Sequence, residues 1–490
     1  MGEPKTTFLR TIALIVFAVA IYFPLFYDLD YLTVRLWDES RQAINALEMY
    51  NNHNWIVTYF DGRPDLWNTK PPLLIWMQVF FFHVVGLNEL ALRLPSAFGG
   101  VLICIALVYF CDKHLKNLWL GILSGIILVT FDGFINYHVS RTGDYDALLT
   151  GFVALFLVSF YGYLQSDCTK KILLYSFFIF LALAFLTKGI AGLFFAPALL
   201  VMSIAMKKFR KLITSIHFWS GLGIFLFITV GYYFLRESLN PGYLKAVYIN
   251  ELGGRYLSAV EEHQHETLYY FNSWIEYKLK DWYWLIIPGI IAGIFFMGKE
   301  IQLFSIYFLL CGITFFSVIS SSKTKLNWYD APLYPIIAFF CACIFIKFFD
   351  LLNNLQKTKR LLITAACVVL VLTYPAYRYV MIIDKVNTPE ESDEALKYYQ
   401  ISYYLMDKLK NGDLLNHKVI LTNDYTPHIT FYTKVCNIKG SDLNAKNYRE
   451  AKKGETVIAD LPEVIDFIKN NFEYTEIGNY SNAVYTFQLR

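Results

Sequence analysis

Two short stretches concentrate acids and bases in a chain that is otherwise poor in both. Asp38 and Glu39 stand side by side with Arg41 close behind, and Arg141, Asp144 and Asp146 fall within six residues of one another. Paired carboxylates can take or position a proton, and cations beside them can hold an anion whose charge grows as a bond breaks. Further cations, Lys70, Lys188, Arg255, Lys323 and Lys325, lie at or near the ends of hydrophobic segments. Arginine binds phosphate as a fork and lysine as a point charge, so the set suits a phosphate at a membrane surface. The plainer reading of any one of them is a snorkelling side chain that anchors a helix end.

The elements that must position these residues are membrane helices. With 56% hydrophobic, 18% aromatic and 17% charged residues over 490 positions, the chain is too apolar for a soluble domain. A net charge of +3 gives nucleic acid no purchase as a partner. Six of the eight cysteines lie in hydrophobic runs without CxxC spacing, so neither a zinc site nor a disulfide framework follows. Apolar runs near Thr11–Tyr27, Ser96–Phe110, Leu118–Phe131, Ala147–Leu164, Ile172–Leu186, Ile190–Met206, Trp219–Leu235, Trp282–Met297, Ile301–Ile319, Ala331–Phe349 and Leu361–Tyr374 predict a polytopic α-helical membrane protein of about 11–13 spans. The first run has no small-residue cleavage site after it and reads as a retained helix.

The stretch Pro72–Val85 is short and opens on a double proline, and it reads as an interfacial helix. With it kept out of the count of spans, Lys113/Lys116, Lys170/Lys171, Lys207/Lys208/Arg210/Lys211, Lys299 and Lys357/Lys359/Arg360 share one face, as the positive-inside rule requires. The opposite, extracytoplasmic face then receives 28–95 (the first outer loop), 132–146, 236–281 and 320–330, and with them both acid clusters. From residue 378 the composition turns soluble, with a helix over Ser392–Lys410, strands at Val419–Thr422, Val457–Asp460 and Ala483–Leu489, and a helix over Pro462–Asn471. This predicts a membrane domain over 1–377, which would be the catalytic one if the acid clusters do chemistry, and a small extracytoplasmic α/β domain over 378–490. Neither internal repeats nor low-complexity tracts are evident.

Among the outer motifs, Asp38 follows Trp37 at a helix start and could serve only as a cap. The loop around His263 and His265 offers a base or a metal ligand, although a surface histidine is more often neither. The segment Lys325 to Pro335 sets a lysine among aromatic rings such as Trp328, Tyr329 and Tyr334, which an interfacial belt would also supply.

Taken in order, Trp37-Asp38-Glu39-Ser40-Arg41, Asn54-Trp55-Ile56, Gly62, Lys70-Pro71-Pro72-Leu73 and Arg93-Leu94-Pro95-Ser96-Ala97 resemble the first outer loop of the C-type (GT-C) membrane glycosyltransferases. The likeness is to the bacterial aminoarabinose lipid A transferase and protein O-mannosyltransferase-like group. Arg141 with Asp146-Ala147-Leu148-Leu149, His265 with Tyr269-Tyr270, and Lys325 to Pro335 resemble its later motifs. The resemblance implies the GT-C fold and an inverting transfer of a sugar from a polyprenyl-phosphate donor to a lipid, glycan or protein acceptor outside the cytoplasm, in a bacterial inner membrane. It implies Asp38 as leading catalytic carboxylate, Asp146 as second acid and Glu39 as a lesser candidate. Arg41, Lys70, Arg141, Asp144, Lys325, Tyr329 and Arg255 would bind substrate or carrier phosphate. A divalent metal at His265 is the cofactor the family suggests, but Thr69 stands where the family usually has a glutamate. The alternatives are a transporter of an anionic or lipid-linked substrate, which would place ionisable groups near the bilayer midplane, and a non-catalytic scaffold.

Overall fold

The computed structural model describes residues 3–136, 138–257, 264–353, 373–389, 391–423 and 425–490. Its membrane part opens with α1 (Glu3–Phe26), α2 (Asp38–Asn52), α3 (Leu73–Val85), α4 (Glu89–Lys113), α5 (Leu118–Leu128), α6 (Tyr145–Gln165) and α7 (Lys171–Lys188). Among the described residues seven helices are long and apolar enough to cross a membrane: α1, α4, α6, α7 with its continuation to Leu193, Ile216–Leu239, Lys299–Ser321 and Ala331–Leu352. The pair Tyr269–Lys278 and Lys280–Phe296 makes an eighth if a 118° bend counts as one span. The expected runs Leu118–Phe131 and Ile190–Met206 form the shorter helices α5 and Ala196–Ala205, the latter after a 3₁₀ turn over Gly189–Leu193. Most of the expected run Leu361–Tyr374 lies outside the described residues.

The two ends of the helix bundle carry different sets of loops. At one end Arg10 meets Asp112 at 2.5 Å, Gln165 donates to Glu300 at 2.7 Å, and Asp167 is held by Lys208 and Lys211. These residues gather the basic loops between the spans onto one side. The other end gathers the first long loop, the 132–144 loop and the 322–330 segment around the acid clusters. Helix α3, with 13 residues, is about 20 Å long at 1.5 Å per residue, short of a bilayer core of about 30 Å. It packs instead between α2 and α4, burying Ile75, Val79 and Phe82.

Helices α4 and α6 meet backbone to backbone. A Cβ on Gly99 would stand 2.5 Å from the carbonyl carbon of Ala147, and one on Gly151 would stand 2.9 Å from the Gly99 oxygen. This close approach sets Arg93 of α4 beside the loop that precedes α6.

Beyond the spans, helical residues 373–387 lie along the acid-bearing end of the bundle, where Arg378 pairs with Asp132 and Asp281. The expected domain boundary at 377/378 therefore falls inside a helix. In the first loop, β1 (Tyr59–Phe60) and β2 (Arg63–Pro64) form a small hairpin. The soluble region begins at the helix Asp393–Asn411 and builds a five-stranded sheet from β3 (Lys418–Thr422), β4 (Leu443–Asn447), β5 (Thr456–Ala459), β6 (Tyr474–Tyr480) and β7 (Val484–Leu489), in the order β4-β3-β5-β7-β6. The first three are parallel and the last two antiparallel. The expected strands are β3, β5 and β7. Strand β4 is too polar to announce itself, β6 exposes most of its residues, and the helix Pro427–Ile438 was not foreseen. Leu405, Tyr432 and Val435 of this region share one hydrophobic core with Ala43, Leu47, Val79 and Phe82 of the first loop.

Candidate active site

The first acid cluster splits in two. Glu39 is wholly buried: Arg93 reaches it through Nε at 2.8 Å and a second nitrogen at 3.0 Å, and the backbone N–H groups of Arg35 and Gly143 each donate to it at 2.8 Å. Burial alone would raise its pKa, but Arg93 and the two backbone donors hold it below the usual carboxylate range. Every lone pair of Glu39 is thus committed, which corrects its candidacy as a catalytic acid. It is a clamp between α2, α4 and the loop before α6. Asp38 is different, with 46% of its side chain exposed. Trp37, just before it, has φ 71°, a left-handed backbone that a bulky residue adopts at a cost of roughly 1–3 kcal/mol.

Asp38 faces the second cluster. Its carboxylate lies 3.9 Å from His138 Nδ1, and the same nitrogen lies 3.3 Å from Asp144 Oδ2. Asp144 in turn accepts from Gln42 at 3.3 Å and from Thr142 Oγ1 at 2.5 Å. The His138 ring stacks on Trp328 at 3.6 Å between centroids. Burial would lower the pKa of His138, but Asp144, Asp38 and Asp146 together raise it. Asp146, at the start of α6, receives Lys188 from the end of α7 at 2.6 and 2.7 Å. The Lys188 ammonium also lies 4.8 Å over the Tyr329 ring and within the field of Asp38.

Lys188 lines a groove of about 280 Å³ together with Lys70, and the rest of the groove is largely apolar, including Phe185, Leu193, Tyr233 and Val247. Lys70 sits 5.4 Å over the Tyr145 ring and 3.8 Å from Glu251, which also accepts from Thr69 Oγ1 at 3.1 Å. The structure therefore brings together Asp38, Asp144, Asp146, Lys70 and Tyr329 from the sequence-predicted set.

Three other expected phosphate ligands have different partners. Arg141 donates to the carbonyls of Pro24, Tyr27 and Asp28, where it caps the C-terminal end of α1, a favourable place for a cation. Arg41 is bound by both oxygens of Asp65, at 3.0 and 2.7 Å. Lys325 donates to the carbonyls of His265 and Ser322 at 3.0 and 2.7 Å, and burial lowers its pKa. The side chain of Arg255 lies outside the described residues. His265 stacks on Tyr269 at 4.1 Å and is exposed.

Metal donors assemble elsewhere. Ligand atoms of Asp38, His138 and Asp144 all fall within 4.8 Å of one another, and His265 is not among them. One imidazole nitrogen and two carboxylate oxygens form a donor set that suits a divalent cation with positions left open. Sequence reasoning missed His138 and did not place Lys188 in the site. The signal for the first was a histidine three residues before Arg141; for the second it was a lysine closing an apolar helix on the side of the acids.

Comparison with known proteins agrees with this architecture. Residues 69–233 match the family model described as dolichyl-phosphate-mannose-protein mannosyltransferase. Two uncharacterized proteins of Aquifex aeolicus (strain VF5) are each 27% identical, over 71% and 64% of this chain. The chain spans about two-thirds of those relatives, 66% of one and 69% of the other. Among solved structures, ArnT from Cupriavidus metallidurans bound to undecaprenyl phosphate superposes with a TM-score of 0.68 at 16% identity, covering 98% of both chains. The archaeal oligosaccharyltransferase AglB from Archaeoglobus fulgidus, in complex with an inhibitory peptide and a dolichol-phosphate, gives a TM-score of 0.58 at 11% identity, covering 93% of this chain and 70% of its own. The fold is that of the C-type membrane glycosyltransferases, and the resemblance read from the outer loops stands.

Proposed function

We propose that this protein is an inverting glycosyltransferase that moves a sugar from a polyprenyl-phosphate carrier to an acceptor hydroxyl on the extracytoplasmic face of the membrane. The observation that carries the reading is the meeting of an apolar groove, headed by Lys70 and Lys188, with the carboxylates of Asp38 and Asp146. The carrier chain would lie along the apolar wall and its phosphate between the two ammonium groups. Asp38, half-exposed, would take the proton of the acceptor hydroxyl as its oxygen attacks the anomeric carbon from the face opposite the phosphate. The bond from that carbon to the phosphate oxygen then breaks, and the carrier leaves as a phosphate monoester whose growing charge is met by Lys70 and Lys188. Asp146 would fix Lys188 in place and face the sugar. Asp38, His138 and Asp144 are the residues that would hold a divalent cation, and a bound cation would supply further stabilisation of negative charge. A membrane catalytic part and an outer domain that begins at the helix Asp393–Asn411, past the expected 377/378 boundary, belong to the same proposal, as does a bacterial inner membrane location. ArnT bound to undecaprenyl phosphate and AglB with a dolichol-phosphate support the donor class by likeness of fold.

The test is transfer of radiolabelled sugar from a panel of polyprenyl-phosphate sugars into total membranes by purified protein. Wild type should incorporate label, Asp38→Asn and Asp146→Asn should lose it by about 100-fold or more if general-base and positioning contributions are of ordinary size, and Lys70→Ala should raise KM for the donor. Absence of incorporation from every donor, with folded protein, would overturn the reading and favour transport.

A further inference from the structure

The segment that carries Asp38 is held from two sides, and one side is the C-terminal domain. Residues 29–36 run outside any helix or strand, so each backbone group in them needs a partner from elsewhere. On the membrane side, Arg93 satisfies the carbonyls of Leu29, Leu32 and Thr33 at 2.9, 2.7 and 2.8 Å. The amides are satisfied differently. Val34 N–H donates to the Tyr432 hydroxyl at 3.0 Å, Leu36 N–H donates to the Tyr399 hydroxyl at 3.0 Å, and between them Arg35 N–H donates to Glu39. Tyr432 in turn donates its hydroxyl hydrogen bond to Glu89 of α4, so its hydroxyl is fixed in both roles.

The same domain continues past the acid. Tyr425 packs against Trp37 at 5.5 Å and accepts from Arg41 at 3.2 Å. The guanidinium of Arg35 lies 4.7 Å over the Tyr399 ring and pairs with Glu391. Three tyrosines spaced along the outer domain thus close on the eight residues from Val34 to Arg41, with the strained Trp37 and the half-exposed Asp38 at the centre.

We infer that the C-terminal domain is a working part of the active centre, and that Tyr399 and Tyr432 are positioning residues that fix Asp38 through the backbone of Val34 and Leu36. This rests on the transferase reading for what Asp38 does, but the holding of the segment does not depend on it. A tyrosine serving only the domain's own fold would have no need of a hydroxyl aimed at another element's amide. The phenol is long enough to reach across the interface, and its oxygen can accept from the loop while donating behind it.

The experiment uses the full-length protein in lipid nanodiscs as wild type, Tyr399→Phe, Tyr432→Phe and the double variant. Tyr485→Phe, whose hydroxyl bonds to Asn482 within its own hairpin, is the control for loss of a domain hydroxyl. Hydrogen–deuterium exchange over residues 30–41 should quicken at least tenfold in the two single variants and not in the control. In the transfer assay kcat should fall at least tenfold while KM for the donor changes less than twofold, because the carrier groove is not touched. Unchanged exchange in both single variants overturns the inference, and so does faster exchange with unchanged kcat. A fall in kcat that comes with equal loss in the Tyr485→Phe control shows a merely structural role and overturns it too. If wild type transfers no sugar at all, the function proposal has failed, and the exchange arm alone decides whether the tyrosines hold the segment.

Discussion

Adjacent acids in a sequence are chemically alike, yet Asp38 and Glu39 end in opposite circumstances. At a helix start, successive side chains point about 100° apart, so one can enter the core while the next faces the cavity. Which one does so depends on Arg93, 54 positions away, whose guanidinium claims Glu39. That partner was visible in the sequence only as part of the Arg-Leu-Pro-Ser run. The outcome for stability follows. Glu39→Gln leaves Arg93 as a buried charge with a neutral partner, a change that typically costs about 3–5 kcal/mol. Asp38→Asn removes a half-exposed group and should stay within about 0.5 kcal/mol. Thermal unfolding in detergent should therefore show a clear drop for Glu39→Gln and almost none for Asp38→Asn, although Asp38→Asn is the variant expected to lose transfer. Equal melting of the two variants would mean that the Glu39 clamp contributes nothing to the fold.

At the scale of elements, the sequence announced the helices by their apolar runs, and the loops between them hid their organising groups. Asp65 is the clearest case. It follows the β1–β2 hairpin, and its carboxylate accepts from Arg41, from Asn45 of α2 and from the backbone N–H groups of Trp67 and Asn68. Its carbonyl accepts from Arg236 of helix Ile216–Leu239 at 3.1 Å. No spacing rule connects these residues, which is why Arg41 looked available for phosphate when read alone. Burial would raise the pKa of Asp65, but Arg41, Asn45 and the backbone donor of Asn68 bring it below the ordinary value. A carboxylate with a depressed folded pKa stabilises fully above its unfolded pKa, about 3.9, and the benefit fades as the pH falls through the lower, folded value. The stability gap between wild type and Asp65→Asn should accordingly be flat from pH 7 to about 5 and shrink at more acidic pH. Denaturant unfolding at stepped pH values measures it, and a gap that widened on acidification would contradict the assignment. The bend near Lys280 escaped the sequence for a related reason. Lys280 takes φ 39° at the break between Tyr269–Lys278 and Lys280–Phe296, just ahead of the apolar run from Trp282 that composition reads as a span by itself.

For the molecule as a whole, the order of motifs was enough to give the fold, because the loops that carry them are all delivered to one end of a helix bundle. The part that remained hidden was the relation between that end and the tail. A soluble domain of roughly ordinary composition says nothing of where it docks, and the core that joins Tyr432 and Val435 to Leu47 and Phe82 appears only when both are folded. Sidedness is a proposal of its own, and it can be tested directly. Lys113 lies at the end where Arg10, Asp112, Lys208 and Lys211 collect, and Ile477 lies on the exposed face of β6 in the tail, joined to the acid end. The proposed orientation, drawn from the positive-inside rule, puts Lys113 in the cytoplasm and Ile477 outside. The seven cysteines among the described residues are buried or half-buried, so an introduced surface thiol can be read against a low background. A membrane-impermeant maleimide should label Ile477→Cys in intact spheroplasts, and should reach Lys113→Cys only once the membrane is opened. The reverse pattern would put both acid clusters in the cytoplasm, where sugar donors are commonly soluble nucleotides, and the carrier groove between Lys70 and Lys188 would then need another occupant.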